Sequence, residues 1–392
     1  MARSLYKKCP SFTKHFDSCI DAVKRLYNED ISSLLLASKQ SEDYQKYSEL
    51  LQRTSRSQIC LFIVEYSIAQ SLIDYGIIPD ILLGHSVGEI VAACVSQVFS
   101  LETALNLTLT RGIEMERTKH GRMISCATST EVLEKYLSNR TELSIVVENS
   151  PSSIVVGGTI HAVDELKKIL ESDKIKCSIL QTNHAFHSKD MEPASGNIIE
   201  FIRSSVTLSK PRIRYLSNVT GDWIKDSEAL DPEYYGLHIV KQVKFATNVR
   251  TLASASPDRM KIFVECGPGD VLCKLVSQNM PSEMVSQCKV FSTVPSAYSQ
   301  KAEDLFQNVL GSMWQIGFEI DWYQSAIKTL LSSNQHRILQ HPHPDCYRFH
   351  ACDYFELLKA ADEFKLTSAV QLLLARHQIL RACFPERLNT LL

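Results

Sequence analysis

The chain has 392 residues, 44% of them hydrophobic, enough for one large domain with an insert or for two to three units around a real core. Its 42 basic and 44 acidic residues leave a net charge of −2, which argues for neither nucleic acid nor an anionic membrane as partner. No apolar run is long enough to span a bilayer, the lysines near the start are followed by no signal-peptide core, and the 12 cysteines form no C-x-x-C pair, a pattern expected of reduced, mostly buried thiols in a cytoplasmic protein.

Residues 11–27 place apolar groups (Phe12, Phe16, Ile20, Val23, Leu26) at helical spacing. Residues 28–47 are polar and loop-like around a short apolar patch at 31–36. A long helix is predicted over 55–75, capped by Ser55 or Ser57, ended by Gly76 and followed by Pro79. Ile81-Leu82-Leu83 has strand character and leads into Gly84-His85-Ser86-Val87-Gly88-Glu89, after which residues 88–98 read as a buried helix. A serine between two glycines at a strand-to-helix turn is the nucleophile-elbow pattern: the sharp turn exposes the hydroxyl, and the amides opening the helix face the place where an oxyanion would form. The bland reading is a tight turn that carries a serine. Ser100 caps a further helix over 101–118, which carries Arg111.

Residues 121–183 change rhythm. A strand at 122–128, a helix at 130–137, strands at 143–147 and 154–156 around the turn Glu148-Asn149-Ser150-Pro151, a helix at 163–170 and a strand at 176–180 make the order β-α-β-β-α-β of a ferredoxin-like unit. Beyond it the predicted elements are a helix at 192–203, a strand at 213–216, one helix over 234–253, a strand at 261–265, the turn Cys266-Gly267-Pro268-Gly269, a helix at 271–276, a strand at 290–293 and a helix at 301–315. Residues 335–354 are irregular and rich in His and Pro; 355–392 read as one or two amphipathic helices.

A serine nucleophile needs a base. Among 12 histidines the best placed is His187, in His184-Ala185-Phe186-His187-Ser188, where the insert returns to the main domain and a cleft is expected. On sequence logic alone a lone histidine is more often a satisfied polar group.

The elbow with Glu89, His184 to Ser188, Ser217-Asn218-Val219-Thr220-Gly221 and Glu265-Cys266-Gly267-Pro268-Gly269 together resemble the malonyl-CoA:acyl carrier protein transacylases, and more closely the acyltransferase domains of modular polyketide synthases. The likeness runs over residues 1–323, in the family's order and spacing. It implies an α/β-hydrolase-like core with a parallel sheet and an inserted ferredoxin-like subdomain. The division it implies is 1–120 and 188–330 for the large subdomain, 121–187 for the small one, 331–354 for a linker and 355–392 for a helical tail. Of that tail, residues 370–381 are weakly similar to an early helix of peptide-synthetase condensation domains; the alternative is a generic amphipathic helix.

The resemblance implies roles. Ser86 would accept the acyl group and His187 would be its base, oriented by a backbone carbonyl from near Lys244. Arg111 would hold the acyl carboxylate, a task suited to the bidentate, permanently charged guanidinium. Gln58 would lie near the site, and Asn149 and Asn218 match polar positions without an assignable role. Phe186 and Val87 fit a malonyl rather than an α-methylated acyl group, since a phenylalanine beside the acyl group would remove the volume that a methyl needs; packing is the alternative for Phe186. His341, His343, Cys346, His350 and Cys352 match no standard zinc spacing, and no metal is expected.

The activity so implied is ping-pong transfer of malonyl from coenzyme A to the phosphopantetheine thiol of an acyl carrier protein. It needs no bound cofactor and is compatible with neighbouring polyketide synthase or peptide synthetase modules as partners. The rivals are a serine hydrolase or editing thioesterase, and a silent fragment that docks a carrier protein. Family members begin with an apolar strand and a Gly-Gln-Gly turn. Met1-Ala2-Arg3-Ser4-Leu5-Tyr6 resembles a later segment, so the strand and turn are expected to be missing, with only the Val87 amide left for the oxyanion, strand edges uncovered and activity impaired.

Overall fold

A computed structural model describes residues 2–38, 40–255, 257–295 and 305–321. The post-domain linker, the His/Cys cluster and the helical tail expected from the sequence lie outside the described residues. The chain divides into two compact units, Met1–Ile73 with Ile78–Leu305, and Asp74–Ile77 with residues from Phe306 onward.

Five helices precede the first strand: α1 (Arg3–Lys8), α2 (Pro10–Tyr27), α3 (Ser32–Leu36), α4 (Tyr44–Leu50) and α5 (Thr54–Asp74). The stretch expected to be a loop therefore holds α3, too short to show a period, and α4, which is polar and buries no residue. Strand β1 (Ile81–Leu83) runs into α6 (Val87–Val95), followed by α7 (Leu101–Glu116), capped as expected by the Ser100 side chain accepting from the Thr103 amide. Helix α6 is buried on every face, so it is a central helix rather than a surface one.

The small subdomain follows as predicted: β2 (Arg122–Cys126), α8 (Thr130–Leu137), β3 (Leu143–Ser150), β4 (Ser153–Gly158), α9 (Ile160–Ser172) and β5 (Cys177–Ile179). Its four strands are antiparallel in the order β3-β4-β2-β5, the ferredoxin-like order. The two-residue alternation is visible in its packing. Ile124, Ile154 and Val156 join Leu133, Leu166 and Leu170 in one core, while Met123 and Val155 face the other way, among Val249, Leu275 and Val276. Strand β3 extends through Ser150, so the turn is Pro151-Ser152 and shorter than the expected Glu148 to Pro151.

The chain continues through α10 (Glu192–Ser205), β6 (Arg214–Leu216), α11 (Asp226–Ala229), α12 (Pro232–Val240), α13 (Phe245–Ala255), β7 (Lys261–Pro268), α14 (Val271–Asn279) and β8 (Cys288–Val294), with α15 (Leu305–Gln315) last. The single helix expected over 234–253 is two. Between α12 and α13 the chain straightens: the Val243 amide donates to the Val146 carbonyl at 2.9 Å, and the Glu148 amide donates to the Val243 carbonyl at 2.9 Å. Pairing with β3 overrides the helical periodicity that runs through Val243.

The parallel strands come in two pairs. Strand β1 pairs with β6, and β7 with β8, both parallel. Among the described residues no strand pairs with the other edge of β1 or β7. In the second unit, Tyr75 and Phe306 meet edge to face at 5.8 Å, and the Asp321 amide donates to the Tyr75 carbonyl at 2.9 Å. Among the described residues no helix is long and apolar enough to cross a membrane.

Candidate active site

The strand-to-helix turn is tight because Gly84 permits it. A Cβ there would lie 2.1 Å from the Glu89 amide nitrogen, so the chain crosses the start of α6 too closely for any side chain. Ser86 adopts φ 51° and ψ −115°, outside the basins open to ordinary residues. Strain of this kind persists only where surrounding contacts over-determine it, and it turns the hydroxyl out of the fold.

The hydroxyl meets the base named from the sequence. Ser86 Oγ lies 2.8 Å from His187 Nε2. His187 also has a positive φ, 58°, and its amide donates to the Ile239 carbonyl at 3.1 Å. Its other ring nitrogen, Nδ1, faces two carbonyls, those of His238 at 3.1 Å and Lys241 at 3.2 Å. Two acceptors at Nδ1 require the proton there, which leaves the Nε2 lone pair for the Ser86 hydroxyl. The orienting carbonyl was expected from near Lys244. It comes instead from His238 and Lys241, at the end of α12, because the break after Val240 leaves those carbonyls without helical partners. The Lys244 carbonyl accepts the Asn248 amide inside α13.

Arg111 is brought to the serine by a close crossing of α5 and α7. A Cβ on Gly112 would lie 2.8 Å from Ser55 Cα. Arg111 is 1% exposed; its Nη2 donates to Ser86 Oγ at 3.2 Å and its Nη1 to Gln58 Oε1. Gln58 in turn donates to Met115 Sδ at 3.5 Å. The guanidinium forms no ion pair among the described residues, and its Nε has no hydrogen-bond partner. Burial lowers its pKa to about 10, which still leaves it charged at neutral pH. His187 is pushed the same way, well below 6.5, by burial first and then by the nearby charge of Arg111, so the imidazole is neutral and basic at Nε2.

The chain matches the model of the acyl transferase domain family over residues 1–315. It belongs to that family. It is 31% identical over 322 residues, 82% of this chain, to a phenolphthiocerol/phthiocerol polyketide synthase protein of Mycobacterium tuberculosis, and 32% identical over 307 residues, 77% of this chain, to the spectinabilin polyketide synthase system protein NorB of Streptomyces orinoci. The chain spans 21% and 14% of the length of those two relatives. Among solved structures it is similar to the acyl transferase domain of ZmaA, at TM-score 0.72 and 30% identity, covering 83% of this chain and 73% of that one. It is also similar to the malonyl CoA-acyl carrier protein transacylase of Burkholderia pseudomallei, at TM-score 0.62 and 27% identity, covering 68% of this chain and 91% of that one.

In this acyltransferase domain Val87 adjoins Ser86, and Asn149 bonds its other neighbour, His85. The Val87 amide, the first of α6, has no acceptor among the described residues, whereas the Gly88 and Glu89 amides are taken by the His85 and Ser86 carbonyls at 3.0 and 2.9 Å. Phe186 is half-buried; it stacks on His184 at 6.0 Å and packs against the Val249–Leu275 core, so it has a packing role whatever else it does. Asn149 gains a role that the sequence left open. Its side-chain oxygen sits 2.9 Å from His85 Nε2, and its carbonyl accepts from Asn279 Nδ2 at 2.7 Å, so it ties the residue before Ser86 to β3.

Sequence reasoning missed Tyr234 and His238. Glu89 receives the Tyr234 hydroxyl on one oxygen and the Asn218 amide on the other at 2.6 Å, with His238 Nε2 approaching to 3.4 Å. A glutamate 1% exposed at the head of an otherwise apolar helix is the one signal that could have called for such partners. Nothing local marks Tyr234 or His238. Among the described residues no cluster of His, Cys, Asp and Glu could hold a metal.

Proposed function

We propose that this domain moves a malonyl group from malonyl-CoA to the phosphopantetheine thiol of an acyl carrier protein through an ester on Ser86. The observation that carries the reading is the buried, unpaired Arg111 guanidinium 3.2 Å from Ser86 Oγ. A buried cation without a counter-ion is costly, and a ligand carboxylate would neutralise it. Hydrolysis of simple acyl groups has no use for such a clamp, which disfavours the hydrolase reading.

The geometry supports the following steps. Ser86 Oγ attacks the thioester carbonyl while its proton passes to His187 Nε2. Charge on the tetrahedral oxygen is met by the Val87 amide, and the positive charge formed on His187 is held by the His238 and Lys241 carbonyls at Nδ1. The carbon–sulfur bond breaks, and the coenzyme A thiolate leaves with the proton from Nε2. The malonyl ester remains on Ser86 with its carboxylate on Arg111, steadied through Gln58. The carrier's thiol then gives its proton to Nε2, attacks the ester and regenerates the Ser86 hydroxyl. Phe186 and Val87 favour malonyl over its α-methylated analogue, and the insert over 121–187 brings the base, at its end, to the serine. Because the chain spans about a fifth of the curated synthase it resembles, we infer that it works beside other synthase modules.

The test is mass spectrometry after mixing with malonyl-CoA. A malonyl adduct on the peptide carrying Ser86, lost in Ser86→Ala and discharged by a carrier protein, is the expected result. Labelling that survives in the alanine variant would remove Ser86 from the mechanism.

A further inference from the structure

We propose that Asn218 is the positioning residue that holds the strained nucleophile turn in its reactive shape. This rests on Ser86 being the nucleophile. The Asn218 side chain bridges the turn: Oδ1 accepts the Ser86 amide at 2.7 Å and Nδ2 donates to the Gly84 carbonyl at 2.8 Å. A backbone amide can only donate and a carbonyl can only accept, so this network fixes which end of the side chain faces which. The backbone of Asn218 is held as firmly. Its amide donates to Glu89 Oε2 at 2.6 Å, and its carbonyl accepts the Lys244 amide at 3.0 Å.

Two consequences follow from these four bonds. One residue grips Ser86 through its side chain and, through its backbone, Glu89 in the first turn of the helix that Ser86 opens. The turn and the helix start are thus fixed to one another from outside, which the local chain cannot do while Ser86 sits at φ 51°. The second consequence is that Asn218, 1% exposed, has both ends of its side-chain amide committed to the turn. It acts through Ser86 and does not touch the acyl group. The same residue reaches the base's support, since Lys244 closes the 241–244 segment whose first carbonyl meets His187 Nδ1. Nucleophile and base are referred to one anchor.

The experiment reads Ser86 directly, with a fluorophosphonate probe that phosphonylates reactive serines whatever their acyl preference, on the full chain. In Asn218→Ala, labelling slows about 10²-fold, since a misplacement of about an ångström costs that much. In malonyl transfer, kcat falls while KM stays within about twofold, because the Arg111 clamp is untouched. Asn218→Asp gives the sharper readout. Its charged form presents only acceptors to the Gly84 carbonyl, whereas its neutral form again has one donor and one acceptor. The ratio of variant to wild-type labelling should therefore climb as pH falls from about 8 to about 5.5. A flat ratio, or an alanine variant within about threefold of wild type, overturns the proposal. If the alanine variant does not fold, the pH ratio of the aspartate variant decides. An unlabelled wild-type chain overturns both this proposal and the nucleophile, whereas a labelled wild type that takes no malonyl overturns only the substrate.

Discussion

The antiparallel sheet of the small subdomain is continuous, β3-β4-β2-β5, with a helical layer and its own apolar core on one face. Among the described residues the parallel strands form two separate pairs, β1, which leads into the Ser86 turn, with β6 and β7 with β8. The first sheet is built from one contiguous stretch, so its contacts are local and apolar. The second joins distant segments, as where Leu82 pairs with Tyr215. Where the ladder does not reach, polar side chains do the holding: Asn218 on the turn, Glu89 on Asn218 and Tyr234, Asn149 on His85. Apolar packing tolerates small errors of volume, but a buried hydrogen bond that loses its partner leaves an unsatisfied group. Substitutions in the two regions should therefore fail differently, one in stability and the other in rate.

The largest effect is expected at the site. If Arg111 holds the acyl carboxylate as proposed, Arg111→Ala removes two charge-assisted donors from it, about 3–5 kcal/mol, or roughly 10²–10⁴ in malonyl transfer. Acetyl transfer should gain relative to malonyl, and Arg111→Lys should restore little, because an ammonium lacks the two-pronged fork. Equal losses for both acyl groups in a competition assay would assign Arg111 to structure instead.

The converse belongs to the small subdomain. Leu166 is fully buried in its core, and Leu166→Ala should cost about 2–5 kcal/mol of stability. The fraction that remains folded should transfer malonyl at nearly the wild-type rate. Chemical denaturation checks the first part and single-turnover kinetics below the midpoint the second; a rate that falls as steeply as stability would erase the contrast between the regions.

The same contrast governs what the sequence discloses. The small subdomain was legible, α8 to the residue, because its strands and helices carry their own periods. The tight turn at Ser86 was legible because glycine geometry is a local demand. The supports of the site were not. The break after Val240 comes from pairing with β3, so one helix was expected where two stand, and the orienting carbonyl was placed at Lys244 instead of His238 and Lys241. Asn218 was noticed without a role, since its partners Gly84, Ser86 and Glu89 lie more than a hundred residues away. No periodicity encodes a contact of that range.

Titration sharpens the comparison at intermediate size. Burial and Arg111 hold the His187 pKa well below 6.5, so the base stays neutral, and acyl transfer stays flat, as pH falls through 6.5. Stability behaves otherwise. The unfolded histidine gains a proton near 6.5 while the folded one does not, so the unfolded chain binds more protons and stability drops as pH is lowered below that value. His187→Gln removes this source of acid sensitivity along with the activity. Denaturation midpoints at a series of pH values test it, and an unchanged slope in the variant would mean that other groups, such as His85, set the acid limb.

The smallest effect is expected at Phe186, where the two regions meet in one side chain. Its ring stacks on His184 and packs against the core shared by β2, β4 and α13, and it directly precedes the base. Phe186→Ser should open room for an α-methyl and raise methylmalonyl use relative to malonyl. One methyl is worth about 1–3 kcal/mol of discrimination, so the ratio should move by roughly tenfold to two hundredfold. The substitution also removes buried ring surface, so a fall in absolute rate with both substrates is expected alongside. The ratio separates the two causes: lost packing lowers both rates together, whereas lost crowding changes one against the other. A constant ratio in direct competition would leave Phe186 as packing alone and put the discriminating contact elsewhere around Ser86.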